Sequence, residues 1–485
     1  MKIFDNTVFD TKTFWKALFA FLAIMALQMV SRGEAYAVLV LFAFGAVFAQ
    51  RATSIVFWLL VSVTLIIGNA FFMPKGFSFF IAQRLLLLVA GLFALIQISR
   101  GRTNPMLSPF RGMMPYIVYM ALVACMGWNP LISYLKLFLF SVIYLAYYCL
   151  TGLVAKSRSL NVRQIRGVIL AIISVLVFGS LVLIPFPAIS QLTADEYEQA
   201  IRSGRQVVSL FKGMTNQSQA LGPAMAFIFT FVFVDLVVNI RKMNALYLAV
   251  LIVAPYLLYL SSSRAGMLTL LMGILVASFC VMKMRGIGMR WRGKVKAALF
   301  GIGVLLFIAV ITLPGLRESV VKFAMKYDRS GEFSSEEVMA TRQGLIDRQL
   351  ETFKKSPLFG NGFQVSEALQ HRKVRTWMNL LSAPIEKGVW ITAILEEGGV
   401  CGFVLLVGFY IALGLTLLNR GAYTGLTMLC ALLTSNMGEF TMFSLSGLGG
   451  FLWLLVFIGI MMDAARQRQD AAPRMPPPPV YRPLP

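Results

Sequence analysis

Apolar runs of close to twenty residues recur along the chain and are broken by short polar stretches, most of them basic. A helix needs about 20 apolar residues to cross roughly 30 Å of hydrocarbon. Spans are expected near 13–30, 35–49, 54–72, 78–98, 115–127, 131–154, 167–184, 219–239, 245–260, 264–282, 297–313, 399–418, 421–437 and 441–462. Lipid offers a backbone no hydrogen-bond partner, so spans are helical or belong to closed barrels. These runs lack the alternation of barrel strands. The pattern predicts an all-α polytopic membrane protein of about 12–14 helices.

One interval departs from the pattern. Residues 314–387 are polar, carry both charge signs and hold the one histidine, His371. Ser334 followed by Glu337 has the form of a capping box and Pro357 is a stop, which predicts a helix over about 335–355. At 100° per residue, Val338, Ile346 and Phe353 fall within about 40° of Arg342, which sets an arginine in the middle of an apolar stripe. A two-glycine turn follows at Pro357-Leu358-Phe359-Gly360-Asn361-Gly362-Phe363. The next apolar run, 388–418, is too long for one upright span and is interrupted by Glu396-Glu397-Gly398-Gly399. A short interfacial or re-entrant helix before the break and a span after it are expected.

Charge then orients the chain. The net charge is +23. Much of it lies in Arg100, Arg102 and Arg111, in Lys156, Arg158, Arg163 and Arg166, and in Lys283, Arg285, Arg290, Arg292, Lys294 and Lys296. Positive-inside logic puts these clusters on the cytoplasmic side with both termini, and 185–218 and 314–387 outside. Anionic lipid accounts for such charge, so no nucleic-acid partner is expected. The organisation follows: an N-terminal transmembrane bundle over 1–313 with an outer loop at about 185–218, a large outer segment with its interrupted helix over 314–398, C-terminal spans over 399–462 and a proline-rich tail over 463–485. Ala35-Tyr36-Ala37 loosely resembles a signal-peptidase site, but the span parity calls for an uncleaved first helix. All five cysteines fall in apolar spans and read as core residues.

Four cations have no topological reason for their positions. Arg264 follows three serines in a very short outer turn, Arg84 and Lys136 lie roughly 9 Å inside spans at 1.5 Å per residue, and Arg342 is the fourth. An intramembrane charge costs at least ~2.5–3.5 kcal/mol and usually faces a polar site. Together the four suggest a basic pocket in the outer third of the membrane, suited to a lipid diphosphate. Glu386, Glu396, Glu397 and Glu439 are carboxylates at the same level. The sequence holds no Walker-type loop and no Asp-x-Asp pair, and its Cys and His are too few for a zinc site; no metal or other cofactor is expected.

The chain resembles the O-antigen ligase/polymerase superfamily of bacterial polytopic membrane glycosyltransferases. Four pieces carry the likeness: Ser261-Ser262-Ser263-Arg264-Ala265-Gly266, Thr341-Arg342 through the Pro357–Phe363 turn, Leu395-Glu396-Glu397-Gly398-Gly399-Val400-Cys401-Gly402, and more weakly Gly213-Met214-Thr215-Asn216-Gln217. The resemblance implies transfer of a glycan from an undecaprenyl-diphosphate carrier to a glycan, lipid or protein acceptor at the periplasmic face of the inner membrane. It implies that Arg264 and Arg342 hold the diphosphate, with Asn216 a weaker echo; Arg84 and Lys136 by their depth, Lys387 beside Glu386, and His371 in its basic patch are further substrate-binding candidates read from the residues themselves. One departure stands out. The family's ligases carry a histidine where this chain reads Ala383-Pro384-Ile385-Glu386-Lys387-Gly388. Glu386 is the candidate base, ahead of His371, and the missing histidine favours a polysaccharide polymerase over a lipid A-core ligase or a protein O-oligosaccharyltransferase. A lipid-linked glycan flippase is the rival of another class.

Overall fold

The computed structural model describes residues 8–32, 34–35, 67–74, 77–100, 111–156, 162–191, 211–238, 244–283, 335–365, 387–438, 440–444 and 447–471. The described residues form helices and no strand, with two isolated bridges, Gly68 to Thr215 and Gln191 to Phe211. Besides a single turn at Pro187–Ser190, the helices among the described residues are α1 (Thr11–Val30), α2 (Phe77–Ser99), α3 (Met113–Met126), α4 (Pro130–Lys156), α5 (Val162–Val182), α6 (Ser218–Val238), α7 (Ala245–Leu260), α8 (Arg264–Lys283), α9 (Ser335–Lys355), α10 (Trp390–Asn419), α11 (Tyr423–Ser435) and α12 (Leu448–Ala471). Six of them are long and apolar enough to cross a membrane, and five more are apolar but shorter along that stretch. The all-α membrane architecture expected from the hydropathy pattern is borne out. The expected spans at 35–49 and 297–313, and most of the one at 54–72, lie outside the described residues.

Lipid rewards packing by shape, because it is as apolar as the side chains it would replace. Small residues therefore mark the closest approaches. A Cβ on Gly273 of α8 would overlap Thr230 of α6, one on Gly222 of α6 would overlap Ser263, and one on Gly91 of α2 would overlap Val142 of α4. The central helix α6 is apolar around its circumference except near its end, at Asp235, and is largely buried. Leu92, Leu122, Leu275 and Val404 on outer helices point away from the protein, where acyl chains cover them at no cost.

One end of the bundle is tied by charge. Arg166, near the start of α5, meets Asp235, near the end of α6, at 2.9 Å with both side chains buried. Tyr247 of α7 donates its hydroxyl to the same carboxylate at 2.7 Å, and Arg166 reaches the carbonyl of Val8 at 3.4 Å. The amide of Asp10 donates to the carbonyl of Arg163 at 3.0 Å. Arg166 reads from the sequence as one of a cluster of loop charges, but it is the buried member of an ion pair. This end collects the N-terminal segment and the first turn of α5, two regions that the charge pattern assigns to one side.

A buried pair is costly to break from one side, because the remaining charge is left in a dry interior. Replacing Asp235 by Leu alone should cost ~3–5 kcal/mol; adding Arg166→Met should recover most of that, as read from thermal unfolding in detergent by circular dichroism. Equal losses in the single and double variants would place the stability elsewhere.

Candidate functional site

The opposite end of the bundle is organised around a gap in α10. Gly399 has φ 60° and ψ −166°, which breaks the helix inside Trp390–Asn419. The sequence predicts an interruption at Glu396–Gly399, and it is found there. In an unbroken helix the amides of Val400 and Cys401 would bond to the carbonyls of Glu396 and Glu397. Val400 instead donates to Pro357 O at 2.9 Å and Cys401 to Leu358 O at 3.3 Å. The vacated carbonyls accept from the glycine turn: Asn361 N reaches Glu396 O and Glu397 O, both at 3.1 Å, and Gly362 N reaches Glu397 O at 3.0 Å. The turn is thus spliced into the helix, and every broken backbone bond has a substitute.

The splice dictates its glycines. Gly360 (φ 74°), Gly362 (φ 119°) and Gly399 all occupy left-handed backbone. A Cβ on Gly360 would overlap the carbonyl of Glu397, and one on Gly399 the carbonyl of Leu358. Neighbours finish the joint. Tyr119 of α3 donates to Gly398 O at 2.8 Å, Trp128 N donates to Asn361 O at 3.2 Å, and Ser133 of α4 accepts from Phe363 N at 2.7 Å. The Phe363 ring lies 5.6 Å from that of Phe140 and 5.1 Å from that of Phe443. Ser133 and Tyr119 were not singled out from the sequence; only their i,i+3 spacing from Lys136 and Tyr116 could have flagged them.

Beside the splice four ionisable side chains are buried together: Lys136 (5% exposed), Lys387 (4%), Glu396 (3%) and Glu397 (0%). Lys387 Nζ stands 3.0 Å from Glu396 and 2.7 Å from Glu397, and donates to Val365 O at 2.9 Å. Burial alone would lower its pKa, but the two carboxylates outweigh that and hold it above the usual lysine value. Lys136 Nζ donates to Gln364 O at 3.1 Å and lies in electrostatic range of Glu397 and Lys387. Two cations thus balance two anions. Gln364 itself has φ 52°, an uncommon conformation for a residue with a side chain.

Arg264 reaches this end through a capped turn. Ser263 caps α8, accepting from Gly266 N on its hydroxyl at 3.2 Å and from Met267 N on its carbonyl at 3.0 Å. Arg264 is therefore the first residue of α8, where the helix dipole adds positive potential to its own charge. Ser262 before it has φ 52°. A Cβ on Gly438 would overlap that of Ala265, so the turn at 436–438 lies against the start of α8. The same turn holds Lys387: Phe440 N donates to Lys387 O at 3.2 Å, and Trp390 N to Asn436 O at 3.2 Å.

Helix α9 covers the junction. It spans the expected residues, Ser335–Lys355, and Pro357 stands in the turn that ends it. A Cβ on Gly388 would meet Leu345 at 3.8 Å and Ile346 at 4.0 Å, and Thr392 donates to Gln349 Oε1 at 2.6 Å. Arg342 is one helical turn before that contact; its side chain is not among those described. Arg84 lies seven residues before Gly91 in α2 and Lys136 six before Val142 in α4, on helices that pack at those positions with α3 between them in the chain. At ~1.5 Å per residue this sets them at similar depth. Arg84 Nη1 is buried with no hydrogen-bond partner among the described residues.

Asn216 belongs to a neighbouring clasp. Its amide donates to Ile67 O at 2.8 Å, while Asn69 donates through Nδ2 to Gly213 O at 2.7 Å and Ile189 O at 2.9 Å. Asn69 was missed because a single asparagine between apolar residues carries no sequence signal. Glu386, Glu439 and His371 lie outside the described residues.

The splice makes Gly360→Ala severe: left-handed backbone costs an L-residue about 1–2 kcal/mol and the overlap with Glu397 about 1–3 more. Gly344 in α9 has open space around its Cβ position, so Gly344→Ala should stabilise by ~0.5–1 kcal/mol. Thermal unfolding of the two variants side by side checks the contrast, and similar behaviour would contradict the splice.

A family model described as O-antigen ligase matches residues 248–407, about a third of the chain. No curated protein matches the chain. The matched interval runs from α7 through the Arg264 turn, α9 and the splice to the middle of α10, so it contains three of the four motifs on which the resemblance rests. Over 248–407 this chain matches the O-antigen ligase family model, which supports its resemblance to the O-antigen ligase/polymerase superfamily.

Proposed function

We propose that the protein is a metal-independent glycosyltransferase that takes a glycan from an undecaprenyl-diphosphate carrier and joins it to an acceptor hydroxyl at the periplasmic face. The observation that carries this reading is the gathering of the Arg264 turn, α9 with Arg342, and Lys136 around one break in a membrane helix. A lipid diphosphate brings its charge at headgroup depth, where these elements meet. Arginine's planar fork suits it, and a helix N-terminus beside one of those arginines adds to the attraction.

In this reading Arg264 and Arg342 bind the diphosphate and stabilise the charge that grows on it as the glycosidic bond breaks. Arg84, whose buried Nη1 has no partner among the described residues, and Lys136 add positive potential from α2 and α4. Asn216 lines the acceptor side. Glu386 takes the proton of the attacking hydroxyl, since a carboxylate beside cations stays ionised at neutral pH. Attack opposite the leaving diphosphate inverts the anomeric centre. Without the ligase histidine, the acceptor is better read as a growing polysaccharide than as lipid A-core or protein, with His371 as a lesser contact. Both termini then face the cytoplasm.

Purified protein supplied with lipid-diphosphate-linked oligosaccharide should release the carrier diphosphate and lengthen the glycan. Arg264→Ala and Arg342→Ala should each lower turnover by about 10²-fold or more, and Glu386→Gln by about 10²–10⁴-fold. Unchanged turnover in both arginine variants would sink the diphosphate site; full activity of Glu386→Gln would move the base to another residue.

A further inference from the structure

The surface changes character where α9 gives way to the glycine turn. Up to the end of the helix the exposed positions include Glu351, Lys354 and Lys355. Just beyond it they are Leu358, 57% exposed, and Phe359, 50% exposed. An exposed apolar side chain means little by itself. These two, however, prolong a strip. The splice sets the turn beside Val400, whose amide donates to Pro357 O at 2.9 Å. From Val400 onward the same face of α10 exposes Val404, Ile411 and Leu415, at spacings of four and seven that keep one side of a helix turned to lipid.

The strip has a length that can be matched to a membrane. From Val400 to Asn419, α10 runs about 30 Å at ~1.5 Å per residue, the thickness of a hydrocarbon core. The exposed Arg420 caps its far end, where a cation suits the headgroups. With Arg420 at one boundary, Val400 and the turn stand at the other. The backbone of the turn is bonded as a dry site requires. Tyr119 of α3 donates to Gly398 O at 2.8 Å, and the same hydroxyl has Leu358 O at 3.2 Å and Phe359 O at 3.4 Å within reach. A carbonyl in water needs no such partner, whereas one among acyl chains does.

We infer that Leu358 and Phe359 form an interfacial anchor, seated among the acyl chains of the leaflet opposite Arg420, with the membrane surface crossing the chain between Lys355 and Leu358. Its occupant is bilayer lipid, because the patch runs into the lipid-facing side of a spanning helix at one edge and ends on charge at the other. The 314–387 interval, polar as a whole, thus has one turn that enters the bilayer. The anchor sets the height at which α9 ends, while the bond from Thr392 to Gln349 holds its side. None of this rests on the glycosyltransferase reading.

The test uses the full chain in nanodiscs of phosphatidylethanolamine and phosphatidylglycerol, with its cysteines replaced by alanine and one nitroxide at a time placed through Phe359→Cys, Val404→Cys or Lys354→Cys. Val404 and Lys354 are exposed on the two sides of the inferred boundary. Power saturation against dissolved oxygen, which concentrates among acyl chains, and against a water-soluble nickel chelate reads the depth of each label. The label at 359 should lie ~5–10 Å beneath the headgroup surface, the one at 404 about 6 Å deeper than the level of Val400, and the one at 354 in water. No lipid-linked glycan is present in these discs, so an acyl contact is a contact with bilayer lipid. A label at 359 that meets the chelate as readily as the one at 354 overturns the anchor. One shielded from both agents overturns it too, because protein would then cover the patch. Should the cysteine-free chain fail to fold, Phe359→Trp in the otherwise unaltered chain takes its place. The emission it adds over the parent should be quenched by lipids brominated on their acyl chains, and added emission that these lipids leave untouched refutes the inference.

Discussion

A backbone amide or carbonyl stranded in lipid costs several kcal/mol, and this demand governs the functional end of the molecule. Helix α10 can break at Gly399 only because five hydrogen bonds with the Pro357–Gly362 turn replace those the break removes. The break in turn gives the turn its place. Neither element has a satisfied backbone without the other, so turn and helix break form one unit. The glycines follow from the closeness of the two backbones, and the aromatic ring of Phe363 locks the unit to the rest of the core.

The same break gives the charged cluster a home. Glu396 and Glu397 would be an expensive pair of neighbours on an intact apolar helix. At an interruption their backbone carbonyls serve the turn while their side chains face Lys387. Charge balance with Lys136 keeps the interior close to neutral, the condition under which buried ions are tolerated. Arg264 stands apart from this arrangement, on a turn whose serine is committed to capping α8. The cluster's charges are consumed by the architecture, whereas Arg264 stands at the positive end of α8.

Much of this was legible in the sequence, because hydropathy and punctuation are local signals. The long apolar runs gave the spans, Pro357 marked the end of α9, and Glu396 to Gly399 announced the interruption of α10. What local signals cannot carry is pairing. Nothing in the Gly360-Asn361-Gly362 turn says that its amides go to carbonyls 35 residues away. Lys387 looked like a free cation because its counter-charges lie nine and ten positions along the chain, beyond a helical turn. Arg166 is hidden for the opposite reason: it sits among loop cations that the positive-inside rule already explains, and its partner lies 69 residues away. Asn69 offered no pattern at all.

The ion pair at the far end bears on how the chain assembles. Arg166 and Asp235 are separated by 69 residues, and synthesis at ~5–20 residues per second sets their emergence several seconds apart. Until Asp235 arrives, α5 enters the membrane with a cation that has no carboxylate, and the carbonyl of Val8 waits for the same guanidinium. The closing of this contact joins the start of the chain to its middle in a single event. It makes the arrival of α6 the checkpoint at which the early helices stop being separate insertions and become a bundle.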